Sequence, residues 1–97
     1  MILEAAILTI RPEQDEAFAA ALEESKPLIA ATPGFHGLEL RPCIEQSHRY
    51  LLLVWWERLT DHTERFRGSE RYQEWKARLH HFYDPFPTVE HFGPSIV

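Results

Sequence analysis

A single cysteine, Cys43, is all the thiol this 97-residue chain has, which excludes an intrachain disulfide and any metal cluster built on cysteine. With no base identifiable beside it, Cys43 reads as a small half-buried strand residue rather than a nucleophile. Positive charge is also scarce. Ten Lys and Arg against fifteen Asp and Glu give a net charge of −5, and no basic cluster stands apart from interleaved Glu. That balance opposes the counterion release on which nucleic-acid binding depends, so no nucleic-acid partner is expected. No apolar run approaches the roughly 20 residues of a membrane span. The stretch Ile2 to Ile10 that follows Met1 has neither a basic flank nor a small-residue cleavage site, so no membrane partner is expected and the chain is read as cytoplasmic. There is no phosphate-binding glycine loop, no hydrolase elbow and no persuasive His/Asp/Glu metal spacing, and the expectation is of no cofactor and no metal.

What is present is an ordinary globular composition, 44% hydrophobic and 26% charged, at a length that allows one core and therefore one domain over residues 1–97. Three Trp, six Phe and three Tyr are a large aromatic load for a lone chain of this size to hide. Some of these rings are expected to face a partner or a ligand.

Ile2 to Ile10 is short, rich in Ile and Leu, and bounded by Arg11-Pro12, as a strand would be. Pro12, followed by Glu13, Asp15 and Glu16, suits the first turn of a helix and its positive dipole end. Phe18, Ala21, Leu22, Ser25, Leu28 and Ile29 then recur at helical spacing. Pro27 is expected to kink or restart that helix, and Thr32-Pro33-Gly34 to end it. Phe35 to Cys43 and His48 to Glu57 alternate as strands joined by a hairpin. In the second, Tyr50, Leu52, Val54 and Trp56 point one way and Leu51, Leu53 and Trp55 the other. Thr60 or Asp61 can cap a further helical turn, with Glu64 placed to close a capping box on Asp61, and Gly68-Ser69 caps the helix that resumes at Glu70. Tyr72, Trp75, Leu79 and Phe82 form its apolar stripe. Asp84-Pro85-Phe86-Pro87 breaks the helix, and Thr88 to Phe92 forms a last strand.

This order predicts an α+β, ferredoxin-like βαββαβ fold: a four-stranded antiparallel sheet with two helices on one face. Two helices cover only that face. The other would expose a row such as Leu51, Leu53 and Trp55, or the alternate set, and an apolar patch of that extent marks an association surface. A homodimer, sheet against sheet, would cover it.

Several segments together carry a family resemblance: Pro33-Gly34-Phe35 opening the second strand, Val54-Trp55-Trp56-Glu57 ending the third, His62 to Ser69 in the second helical region, and Tyr83 to Phe92 at the close. On these residues, over almost its whole length, the chain resembles the antibiotic biosynthesis monooxygenase (ABM) superfamily of dimeric α/β-barrel proteins. The resemblance implies that barrel fold and a homodimer. The superfamily mixes cofactor-free oxygenases, haem-degrading enzymes and uncharacterised proteins. The haem-degrading branch uses an Asn on the first strand, a Trp ending the third and a His on the second helix. Trp56 matches that Trp, but the chain contains no Asn, and its first strand offers Glu4, Ala5, Ala6 and Ile7 there. The cofactor-free branch oxidises phenolic or hydroquinone substrates whose anions pass an electron to dioxygen, and this implies a cofactor-free monooxygenase acting on a planar aromatic or quinone-like compound.

Such chemistry needs a base, aromatic walls and a dry pocket. His62 is the candidate base, because imidazole titrates near neutrality, and Trp56 the candidate catalytic-site wall. Phe66, Tyr72, His91 and Phe92 are candidate substrate-binding residues. Four of these have a plainer reading: His62 as a partly exposed helix histidine, Trp56 and Tyr72 as core, His91 as a dimer-seam residue. His80-His81 end a helix and are assigned to its dipole. The alternative function is a non-catalytic dimeric barrel module that holds a small apolar or aromatic molecule or serves as structure.

Overall fold

The computed structural model describes residues 1–97. Its elements are β1 (Ile2–Thr9), α1 (Asp15–Ala30), β2 (Phe35–Pro42), β3 (Arg49–Trp56), a π-helical turn (Asp61–Phe66), α2 (Glu70–Leu79), a 3-10 turn (His80–Phe82) and β4 (Val89–Phe92). The strands form one sheet in the order β2-β3-β1-β4, with each neighbouring pair antiparallel. This is the ferredoxin-like arrangement. No helix is long and apolar enough to cross a membrane.

Register decides which residues meet the helices. β1 pairs with β3 so that Glu4 opposes Val54, Ala6 opposes Leu52 and Leu8 opposes Tyr50. Because side chains alternate along a strand, Glu4, Ala6 and Leu8 share one face with Leu52, Val54 and Trp56. That face is buried, and α1 closes it with Phe18, Leu22 and Ile29 while α2 adds Trp75 and Leu79. Burying aliphatic and aromatic side chains of this size stabilises the fold by roughly 1.5 to 3 kcal/mol each. The opposite face carries Ala5, Ile7, Leu51, Leu53, Trp55 and Phe92 and has no helix over it. Ile7 and Phe92 are about half exposed there, while Glu39 and Arg41 pair with each other along β2. The set opposite the helices is therefore Leu51, Leu53 and Trp55.

Three local expectations are corrected. The first helix does not open at Pro12: Gln14 N–H is taken by the Arg11 carbonyl at 3.1 Å, closing a turn that holds Glu13 at φ 67°, and α1 begins after Gln14. Pro27 does not restart α1, which runs unbroken from Asp15 to Ala30. It lies in the last turn, where its carbonyl still accepts from Ala31 N–H at 3.2 Å, so only its own missing donor is lost. Asp61 does not form a capping box with Glu64 on an α-helix. Residues Asp61–Phe66 wind more widely, Arg67 N–H donating to the His62 carbonyl at 3.1 Å, and Asp61 Oδ2 accepts from Arg58 N–H at 2.9 Å. The expected cap at Ser69 is present, its Oγ accepting from Tyr72 N–H at 3.2 Å.

Gly34 ties this turn to the sheet. It sits at φ 94°, and a Cβ added there would lie 2.0 Å from Asp61 Oδ2. Only glycine satisfies both the left-handed backbone and the close carboxylate.

Candidate active site

Glu4 is the single charged residue of the run Ile2 to Ile10, and register places it on the helix-facing side of the sheet between Val54 of β3 and His91 of β4. It is only 5% exposed. A carboxylate so buried needs partners. The Trp56 indole N–H, two residues beyond Val54 on the same face, donates to Glu4 Oε1 at 2.9 Å. His62 comes from the π-helical turn and lies flat on Trp56, ring centres 5.4 Å apart and planes 17° from parallel. Its Nε2 stands 3.4 Å from the same Glu4 oxygen, and its Nδ1 lies 2.7 Å from His91 Nε2. The wide turn brings His62 inward, in keeping with the frequent placement of such turns at functional sites.

Burial disfavours the charged form of every member of this cluster. Desolvation raises Glu4 to about 6, against the Trp56 bond and the Arg67 charge, which pull it down. Desolvation lowers His62 to about 3, with the Arg67 and His91 charges acting in the same direction. His91 is lowered by burial and by Arg67. At neutral pH Glu4 is an anion and both imidazoles are neutral, so Glu4 and His62 are not an ion pair. His62 Nε2 faces the Glu4 anion, and the bond between His62 Nδ1 and His91 Nε2 takes its donor from whichever of the two nitrogens carries the proton. Of the two groups Glu4, at about 6, binds a proton more readily than His62, at about 3.

The cluster opens on a partly open cavity of about 90 Å³ between sheet and helices. Ala6, Leu8, Leu52, Phe66, Tyr72, Trp75 and Val89 give it apolar walls, Glu4, His62 and Arg67 lie to one side, and His80, Tyr83, Phe86 and Pro87 complete the lining. Phe66 holds the wall together, edge-on to Tyr72 at 5.3 Å and to Trp75 at 5.7 Å. Burial lowers His80 and raises Tyr83, the latter also through the Glu4 charge.

Among the residues named from sequence, the structure brings His62, Phe66 and Tyr72 to the cavity lining, while Trp56 and His91 do not line it and instead hold Glu4 and His62. Trp56 and His62 are both fully enclosed, so His62 is not a partly exposed helix histidine. Phe92 is not among them. Strand alternation after His91 turns it to the open face, where it is half exposed in a shallow groove beside Ala5, Ile7 and Leu51. Sequence reasoning gave no role to Glu4, Arg67 or Tyr83 and assigned His80 to a helix end. For Glu4 a signal existed, a lone carboxylate on the core parity of an apolar strand. For the others nothing local distinguishes a cavity-lining side chain from a surface one.

Comparison with known proteins agrees with this architecture. The family model described as Antibiotic biosynthesis monooxygenase matches residues 1–78. The uncharacterised protein YczJ of Bacillus subtilis is 53% identical over 92 residues, 95% of this chain and 97% of that protein. A crystal structure of an antibiotic biosynthesis monooxygenase relative from Bordetella bronchiseptica superimposes with a TM-score of 0.92 at 32% identity, covering 98% of this chain and 97% of that one. SnoaB, a cofactor-independent oxygenase from Streptomyces nogalater, shares the fold with a TM-score of 0.74 at 15% identity, over 99% of this chain and 93% of its own. With a family match over most of its length and a relative of the same architecture at 32% identity, the chain belongs to the antibiotic biosynthesis monooxygenase family.

Proposed function

We propose that this protein is a cofactor-free monooxygenase for a small planar phenol or quinol, with Glu4 as the base and Trp56, His62, Phe66 and Tyr72 shaping the site. The observation that carries this reading is a buried carboxylate held at about 6 beside a small, aromatic-walled cavity. Such a group takes a proton from a phenolic O–H near neutral pH and keeps it out of water. The anion left behind is electron-rich enough to pass one electron to dioxygen. Coupling of the resulting radical with superoxide forms a C–O bond, and loss of water from the peroxide leaves a carbonyl. Phenol plus O2 thus becomes quinone plus H2O, with one oxygen atom in each product and no external reductant.

Oxygen uptake with a panel of phenols and hydroquinones, followed by mass spectrometry for one incorporated oxygen atom, tests the proposal. Turnover by the wild type that is lost in Glu4→Gln supports it. Absence of turnover across the panel, with a small molecule retained through purification and seen by native mass spectrometry, replaces it with the binding-module reading. We also propose that the working form is a homodimer joined through the open sheet face. Its support is the row Ile7, Leu51, Leu53, Trp55 and Phe92, which nothing in the chain covers.

A further inference from the structure

Arg67 is the only cationic side chain among those lining the cavity. It directly follows the π-helical turn that carries His62, whose carbonyl its backbone N–H binds, so its position is fixed by the same segment. Unlike Arg11, Arg41, Arg65 and Arg78, each of which is paired with a carboxylate, Arg67 takes part in none of the chain's ion pairs. A guanidinium uncommitted to a protein carboxylate, at the wall of a chamber that also holds a carboxylate base, can serve an anion that forms there. Tyr83, only 7% exposed and lining the same chamber, offers a second O–H donor.

The chamber's size limits what that anion can be. About 90 Å³ is less than the roughly 150 Å³ of an engineered apolar cavity that takes up benzene. That volume leaves room for no more than a single ring, with its oxygen substituent toward the polar side where Glu4, His62 and Arg67 lie.

We propose that Arg67 is the counter-ion for the oxyanion of a single-ring phenolic substrate, formed when the substrate O–H gives its proton to Glu4. This rests on the reading of Glu4 as the base and goes beyond it by naming the substrate class and the residue that stabilises its ionised oxygen. The step is a proton transfer alone: the O–H bond breaks, the proton moves to the Glu4 carboxylate, and the negative charge passes to the substrate oxygen beside Arg67. The groups facing that oxygen are Glu4, His62, Tyr72, His80 and Tyr83, none of which carries positive charge at neutral pH.

The test uses 4-nitrophenol, a single-ring probe whose yellow anion reports its own ionisation. Titrated from pH 3.5 to 9 on the wild-type protein, the bound probe should ionise about 1 to 3 pH units lower than free probe, the range a nearby opposite charge produces. Arg67→Met should abolish most of that shift and Arg67→Lys should keep part of it. Arg67 is exposed toward solvent, so both variants are expected to fold, as circular dichroism would verify. The inference is overturned if the wild type does not bind the probe, if bound probe ionises no lower than free probe, or if Arg67→Met leaves the shift intact. Its failure is separable from failure of the oxygenase reading. A shift that depends on Arg67, with no oxygen uptake on any substrate, keeps the inference and removes the oxygenase. Oxygen uptake with a shift indifferent to Arg67 does the reverse.

Discussion

Trp56 donates its indole N–H to Glu4 Oε1 across 2.9 Å, joining the end of β3 to the start of β1 inside the core. That bond is the closest contact of a carboxylate that is only 5% exposed. Trp56→Phe keeps the ring but removes the donor. Loss of one bond to a buried charged group costs roughly 1.5 to 3 kcal/mol. The Trp56 bond also holds the Glu4 pKa down, so the variant should raise it. The expected result is a lower denaturation midpoint at pH 7.5 and a smaller deficit at pH 5, where Glu4 is protonated. An equal loss at both values would mean that the indole acts through packing alone.

Glu4→Gln should move stability and activity in opposite directions. The folded pKa of Glu4 is raised from 4.5 to about 6, so its favourable contribution is fully present below 4.5 and lost as pH rises through 6. That shift corresponds to about 2 kcal/mol of destabilisation at neutral pH. Glutamine removes the charge and can still accept from Trp56. Urea denaturation at pH 7.5 should therefore show a variant at least as stable as the wild type, with oxygen uptake abolished. A less stable variant would place the carboxylate's value in its contacts rather than in its ionisation.

His62 sets the opposite dependence. Its folded pKa is lowered to about 3 from 6.5, so its contribution is present above 6.5 and is lost as pH falls through that value toward 3. This shift is larger than that of Glu4, so the protein should lose net stability between pH 7 and 5. His62→Gln, neutral throughout, should flatten that part of the profile. Denaturant midpoints at half-unit pH intervals give the comparison, and an unchanged slope would assign acid sensitivity to other groups.

Gly34→Ala should disturb the site from a distance. The substitution puts a side chain at φ 94° and a Cβ 2.0 Å from Asp61 Oδ2, so the carboxylate must leave the Arg58 N–H it accepts from. Strain of this kind costs about 1 to 3 kcal/mol, and the turn carrying His62 would shift with it. Thermal unfolding should show the loss, and the imidazole NMR signals of His62 and His91 should move. Asp61→Ala in the same background should relieve the clash but not the backbone strain, recovering only part of the stability.

How much of this was legible in the sequence follows from the range of the forces involved. β3 could be read from alternation, and α2 from its stripe and its Ser69 cap, because both signals lie within a few residues. The helix-facing set Leu52, Val54 and Trp56 followed as one of two parities, and only the packing of α1 and α2 chose between them. Pro27 misled because its cost depends on where in the helix it falls, and in the last turn little is lost. The π-helical turn was not readable: its geometry is set by Asp61 reaching Arg58 and by Gly34 making room for Asp61. Glu4 was visible as a residue but not as a partner of Trp56, because that pairing depends on the register of β1 against β3 across more than fifty residues of sequence.

The open sheet face gives the last prediction. Leu53 sits at its centre, between Ala5 of β1 and Glu39 of β2, with Leu51 and Trp55 on the same side and Ile7 and Phe92 about half exposed beside them. Leaving apolar area in water costs roughly 25 cal/mol for each Å², and no element of the chain relieves it. A self-complementary interface of about 1,200 to 2,000 Å² would. Leu53→Asp should place one carboxylate from each protomer in that seam, near its own copy, where neither finds a cation except by distorting the Glu39–Arg41 pair. Because Leu53 faces away from α1 and α2, the helix-side core is untouched, and the variant should fold. Sedimentation at micromolar concentration should therefore give a wild-type dimer and a folded Leu53→Asp monomer, with matching circular dichroism. A folded wild-type monomer would remove the dimer, and an unfolded variant would show that the chain depends on its partner for stability as well as for cover.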